Sequence, residues 1–267
     1  MAASAVEFAG VSYVLPDGRA LLRHINLVFE AGTTTALLGR SGSGKTTLLR
    51  MVNGLVQPTS GRVFVGGKTA ADNVLALRRS IGYVIQETGL FPHMTIERNV
   101  AMPLEVAGAD VSTKQRRAAE VLGLAGLEFE TFRARYPWQL SGGQRQRVGV
   151  ARALTTDPAV LLMDEPFGAL DPLTRAEMQS MLRELLAKVQ KTVVLVTHDL
   201  PEALYLASRV IFVDAGQIVA DLPAGDVFSS ENPHVRHYVE VVQRTIPTAS
   251  SGSTASSGAA RSVPSPS

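Results

Sequence analysis

Along the first thirty residues, hydrophobic and polar positions alternate with the two-residue period of half-buried strands. Ala5-Val6-Glu7-Phe8 and Val11-Ser12-Tyr13-Val14 predict two short strands, and Ile25-Asn26-Leu27-Val28-Phe29 a third beyond a Pro16-Asp17-Gly18 turn. Thr35-Ala36-Leu37-Leu38, Ala159-Val160-Leu161-Leu162-Met163 and Val193-Val194-Leu195-Val196-Thr197 are continuous runs, the pattern of strands covered on both faces. Gly61–Gly67, Ile81–Ile85, Val210–Val213 and Gln217–Ala220 complete the expected strands. Helical spacing appears in Thr47–Val52, which Gly54 can end, and in a short segment at 234–243. Beyond Pro172, Met178, Met181, Leu182, Leu185, Leu186 and Val189 recur at three- and four-residue spacings, a stripe that reads as core. Between residues 87 and 156 strand-like runs largely vanish and helical stretches such as Thr113–Leu122 dominate. This predicts a mostly helical lobe inserted into an α/β domain.

A chain of 267 residues with 45% hydrophobic content can bury one substantial core, as a domain or a domain with a lobe. No run of 18 apolar residues and no charged-then-apolar leader appears, so the chain is expected to be soluble and unexported. The absence of cysteine excludes disulfides and thiol chemistry. A formal charge of +2 without a basic block gives no support to nucleic-acid binding. From Pro247 to Ser267 the composition is almost entirely Ser, Ala, Gly, Thr and Pro, which predicts a disordered tail.

The strongest chemical signal is Gly39-Arg40-Ser41-Gly42-Ser43-Gly44-Lys45-Thr46, placed between a predicted strand and a predicted helix. Glycines let the backbone curl so that amide N–H groups face a phosphate chain. Lys45 can reach terminal phosphates, and the Thr46 hydroxyl can ligate Mg2+. Asp164 and Glu165 emerge together at a predicted strand end. There they read either as a metal-linked carboxylate with a general base or as a solvated terminus. His198 ends the next strand and is either catalytic or structural; Gln86 ends another and is either functional or a polar boundary. Tyr13 either stacks on a base or packs in the core. Ser141 with Gln144 forms a capping box enclosing paired glycines, a well-started helix that is also an anion-binding end. Asp171 before Pro172 fits a helix cap with proline at the first helical position.

In this order the motifs resemble the ATP-binding subunit of an ABC transporter, from residue 5 to about 243. Gly39–Thr46 resembles Walker A, with Thr47 adjoining it. Gln86 falls at the Q-loop, and Leu140-Ser141-Gly142-Gly143-Gln144 is similar to the signature motif. Val160–Asp164 with Glu165 resembles Walker B, Ala169-Leu170-Asp171 the D-loop, His198 the switch histidine and Tyr13 the base-stacking aromatic. The resemblance implies an α/β P-loop NTPase fold with a mainly parallel sheet core, an antiparallel β subdomain and an inserted helical lobe. The domain would span residues 4–246, with the lobe at about 87–156, the tail at 247–267 and no C-terminal CBS module.

The resemblance also implies a head-to-tail homodimer. ATP would lie between Lys45, Thr46 and Asp164 of one copy and Ser141–Gln144 of the other, with Asp171 close by. Mg2+ would be held by Thr46, Gln86 and Asp164; Glu165 would polarise water, and His198 would steady the γ-phosphate. Ile81–Gln86, Gly89-Leu90-Phe91-Pro92-His93-Met94-Thr95-Ile96, Arg147–Leu154 and Met163–Pro172 are further similar to subunits of glycine betaine, choline and carnitine importers. Expected partners are separate transmembrane permease subunits and, indirectly, an extracytoplasmic solute-binding protein. The expected location is the cytoplasmic face of the membrane. Import of another solute, such as an amino acid or sulfonate, and a non-transport ATPase acting on nucleic acid or ribosomes are the alternatives.

Overall fold

The computed structural model describes residues 6–245. The expected tail and the outermost domain limits, residues 4 and 246, lie outside these residues. The chain begins with β1 (Val6–Val14), β2 (Ala20–Phe29) and β3 (Thr34–Leu38), then α1 (Lys45–Val52), β4 (Ser60–Val65) and β5 (Lys68–Thr69). Next come α2 (Val74–Ser80), β6 (Ile81–Val84), α3 (Ile96–Val106), α4 (Val111–Leu124), α5 (Phe129–Phe132) and α6 (Gly142–Leu154). The last third holds β7 (Val160–Asp164), α7 (Pro172–Val189), β8 (Thr192–Thr197), α8 (Leu200–Leu206), β9 (Arg209–Asp214), β10 (Gln217–Pro223) and α9 (Pro233–Thr245).

Two sheets divide these strands. A four-stranded antiparallel sheet runs β2-β1-β4-β5, and a six-stranded sheet runs β10-β9-β3-β8-β7-β6. In the second, every pairing is parallel except β10 on β9. The pattern predicts two strands across residues 5–14; the structure has one. Gly10, at φ 60°, sits at a register shift between Phe8 and Val11, so a bulge breaks the alternation without ending the pairing. β7 and β8 are buried at every position, as continuous apolar runs require.

Two helices have no counterpart in the hydrophobic pattern. α2 buries no residue, so no apolar stripe marks it; the Asn73 side chain accepts the Ala76 N–H and starts it. α8 is seven residues long, too short for a clear period, although Asp199 caps it and Pro201 stands in its first turn. The stripe on α7 behaves as expected: Met178, Leu182 and Leu185 are buried, with Met181, Leu186 and Val189 packed beside them.

Parallel register sets the site. Leu38 at the end of β3 pairs with Thr197 at the end of β8, Asp164 of β7 pairs with Val196, and Val84 of β6 with Met163. The residues that follow these four strands therefore leave the sheet along one edge, where open α/β sheets bind ligands.

Candidate functional site

The glycine loop grips itself tightly. Gly42 and Gly44 adopt φ 78° and 104°, a region that side-chain-bearing residues rarely enter. Gly39 admits no side chain, because a Cβ there would run into the Val213 carbonyl. Lys45 is 4% exposed, and its Nζ donates to the carbonyls of Gly39 at 2.8 Å and Arg40 at 2.9 Å. Burial lowers the pKa of this ammonium, while Glu165 and Asp164 raise it in part. Ser43 is buried, and its Oγ has no hydrogen-bond partner among the described residues. An orphaned buried hydroxyl in a glycine-rich loop at a helix start fits a site built for an anion. Ser41 is exposed, and Thr46 and Thr47 are half-buried at the start of α1. Arg40 turns outward, and its Nη2 donates to His237 Nε2 of α9 at 2.9 Å.

Asp164 is 3% exposed and uses both carboxylate oxygens. Thr46 Oγ1 donates to Oδ1 at 2.8 Å and Tyr83 Oη to Oδ2 at 3.3 Å. A hydroxyl paired with a carboxylate is a hard oxygen donor set, which suits Mg2+ held by one or two protein oxygens. Burial and the Asp164 charge raise the Tyr83 pKa, keeping it a donor. Tyr83 carries no functional reading in the sequence; the available signal was a polar-tipped aromatic in an apolar strand.

Glu165 has φ 44°, left-handed backbone that favours glycine. Its N–H donates to Val196 O at 3.0 Å, and its Oε2 lies 3.4 Å from His198 Nδ1. A Cβ on Gly168 would lie 3.7 Å from Glu165 Oε2 and 4.0 Å from Gln86 Nε2, so the glutamine side chain reaches the same corner. Tyr13 is half-buried on β1 and packs against the core beneath it. It pairs in register with Leu22, whose Cδ2 would lie 2.5 Å from a Cβ on Gly44, so Tyr13 flanks the glycine loop.

Ser141–Gln144 forms a second, separate corner. Ser141 Oγ accepts the Gln144 N–H at 3.2 Å and Gln144 Oε1 accepts the Ser141 N–H at 3.0 Å, the reciprocal box. Ser141 and Gly142 are exposed, whereas Gly143 is buried against Thr174, whose Cγ2 would lie 2.5 Å from a Cβ there. Asp171 Oδ1 accepts the Thr174 N–H at 3.1 Å. Thus Ser141–Gln144 and Asp171 belong to one surface, where α6 and α7 both begin. Among the described residues no hydrogen bond or ion pair joins that surface to residues 39–47 of the same chain.

Known proteins of similar sequence and fold point to one family. The profile of the ABC transporter family ("ABC transporter") matches residues 22–168, more than half of the chain. The glycine betaine/carnitine/choline transport ATP-binding protein OpuCA of Bacillus subtilis is 45% identical over 210 residues, 78% of this chain and 55% of that protein. A probable sulfate/thiosulfate import ATP-binding protein of Chlorella vulgaris is 48% identical over 198 residues, 74% of this chain and 83% of that one. A dimeric ATP-binding cassette in a post-hydrolysis state with ADP and Pi superposes with a TM-score of 0.73 at 34% identity, covering 82% of this chain and 98% of the other. The chain spans about half the length of several of the curated relatives it matches, 55% in the Bacillus case.

Proposed function

The chain belongs to the ABC transporter family, and from that premise we propose that it is the ATP-binding and ATP-hydrolysing subunit of an importer. Its cargo would be glycine betaine, choline, carnitine or a related osmoprotectant, carried by separate permease subunits that receive it from an extracytoplasmic solute-binding protein. The single observation that carries the ATPase reading is the Thr46–Asp164 pair, 2.8 Å apart beside a loop whose Lys45 and Ser43 are buried. The parallel register of β3, β8, β7 and β6, whose ends precede the glycine loop, His198, Glu165 and Gln86, supports this reading.

In this reading the loop amides, Ser43 Oγ and Lys45 Nζ bind the phosphates, and Tyr13 stacks on the base. Thr46, Asp164 and Gln86 would hold Mg2+, which supplies charge neutralisation at the β- and γ-phosphates when bound. Glu165 takes a proton from the attacking water; His198, 3.4 Å away, orients that carboxylate and steadies the γ-phosphate. Because Ser141–Gln144 and Asp171 form a surface apart from the chain's own loop, a second copy presents them head-to-tail to the nucleotide. The paired glycines and helix dipole offer positive potential to an anion there.

No helix among the described residues is long and apolar enough to cross a membrane. We assign the subunit to the cytoplasmic face, docked on its permease. The osmoprotectant reading is supported by the Bacillus relative, and the Chlorella relative favours an inorganic anion as the second reading. Reconstitution with the permease and binding protein decides between them: quaternary amines should stimulate ATP hydrolysis and sulfate should not. Stimulation by sulfate alone would overturn the osmoprotectant assignment.

A further inference from the structure

Glu202, in the first turn of α8, is a buried carboxylate that none of the steps above uses; it is 5% exposed. Thr197 donates its hydroxyl to this carboxylate, and Gln179 Nε2 approaches Oε2 at 3.5 Å. Thr197 Oγ1 also accepts the Asp199 N–H at 3.0 Å, and Asp199 Oδ1 accepts the Glu202 N–H at 2.9 Å. Of the two neighbours of His198, Thr197 is therefore bonded to the Glu202 carboxylate and Asp199 to the Glu202 backbone N–H. From α7, Gln179 reaches the carboxylate and the Arg175 charge acts on it from farther away. Arg175 is anchored at the start of that helix: its N–H donates to Asp171 O at 2.9 Å and its Nη2 to Leu170 O at 3.4 Å. The buried Nε of Arg175 has no hydrogen-bond partner, and its charge acts on Glu202 through space, without an ion-pair contact.

Burying a carboxylate is costly, and an apolar side chain could fill the same space between α7 and α8. A charge kept where two functional corners meet therefore calls for a role other than packing. We propose that Glu202 is a positioning residue that clamps the turn carrying His198 to the start of the helix capped by Asp171. Closing a joint at Asp171 and setting His198 against Glu165 then become one event. This inference rests on the ATPase reading above.

The charged groups that act on Glu202 are Asp199, which caps its own helix, and Arg175 from α7, with the Thr197 hydroxyl and Gln179 amide as donors. Burial pushes its carboxyl up to about 7; Thr197, Gln179 and Arg175 oppose that rise and Asp199 adds to it. The ionised form accepts more strongly from both donors and alone attracts Arg175, so positioning is complete above that pH and weakens below it.

The test measures steady-state ATP hydrolysis by the full chain between about pH 6 and pH 8, with KM and thermal unfolding alongside. The wild type should lose turnover on the acid side. Glu202→Gln should lack that limb and turn over roughly tenfold more slowly at the alkaline end, with KM for ATP unchanged and no loss of thermal stability. Gln179→Leu removes a donor to the ionised form and should move the acid limb to higher pH. A Glu202→Gln variant with wild-type turnover and an intact limb would overturn the proposal, as would one that loses ATP affinity and stability together. Should Glu202→Gln fail to fold, an unmoved limb in Gln179→Leu would overturn it instead. A wild type that hydrolyses no ATP at any pH, or a Glu165→Gln variant at full rate, would count against the ATPase reading and is distinguishable from these results.

Discussion

Glu165 holds a conformation, φ 44°, that costs about 1–3 kcal/mol for a residue with a side chain. The strain is maintained by its N–H bond to Val196 of β8 and by the buried strand β7 that it directly follows. It turns the carboxylate toward His198 and away from the direction β7 would give it. Glu165→Gln keeps the shape and the backbone strain but cannot take a proton. It should bind ATP with near wild-type affinity, lose turnover by about 100-fold or more, and accumulate as a dimer when ATP is present. Phosphate release and size-exclusion chromatography with ATP check this; unchanged hydrolysis would remove Glu165 from the mechanism. Asp164 is in the opposite situation, with each oxygen engaged and little exposure, which suits a group that must not move.

Helix α6 has two duties at its start. Its capping box ties Ser141 to Gln144, and eight of its residues, from Gly143 to Leu154, are buried in the core. Loss of the cap alone costs about 1 kcal/mol, which such a buried helix tolerates. Ser141→Arg should therefore fold and bind ATP as a monomer. A long cation in place of the exposed hydroxyl should nevertheless abolish hydrolysis, because in the proposed dimer that hydroxyl meets the other copy's nucleotide. Equilibrium binding of a fluorescent ATP analogue beside steady-state turnover separates the two effects. A fully active variant would refute the shared site.

Across the whole molecule, Glu202 sets a pH dependence of stability that runs against the usual carboxylate trend. Its folded-state pKa, about 7, lies above the ordinary value of 4.5. Below the ordinary value both folded and unfolded chains hold the proton. As pH rises toward 7 the unfolded chain releases a proton that the fold retains, so stability falls through this window and levels off above it. The contribution is on the order of a few kcal/mol at most. Glu202→Gln should lack this decline, so its melting temperature should gain on the wild type between about pH 5 and pH 8. Thermal unfolding at both ends of that range checks it. A variant more stable yet slower under alkaline conditions is the outcome expected of a buried charge retained for function.

What the sequence by itself determined is what lies within a few residues. The glycine loop, the caps at Ser141 and Asp171, the α7 stripe and the continuous runs of β7 and β8 are each written in adjacent residues, because backbone conformation, capping and periodicity are local. The site residues Lys45, Asp164, Glu165 and His198 were legible as strand-end chemistry, and their joint meaning came from motif order. Only the tertiary structure decided which of them touch. The Thr46–Asp164 bond spans 118 residues, and the donors to Asp164 and Glu202 come from different elements. The strain at Glu165, the role of Tyr83 and the clamp at Glu202 went unread for the same reason. Each depends on parallel register and helix packing, which no short stretch of chain encodes.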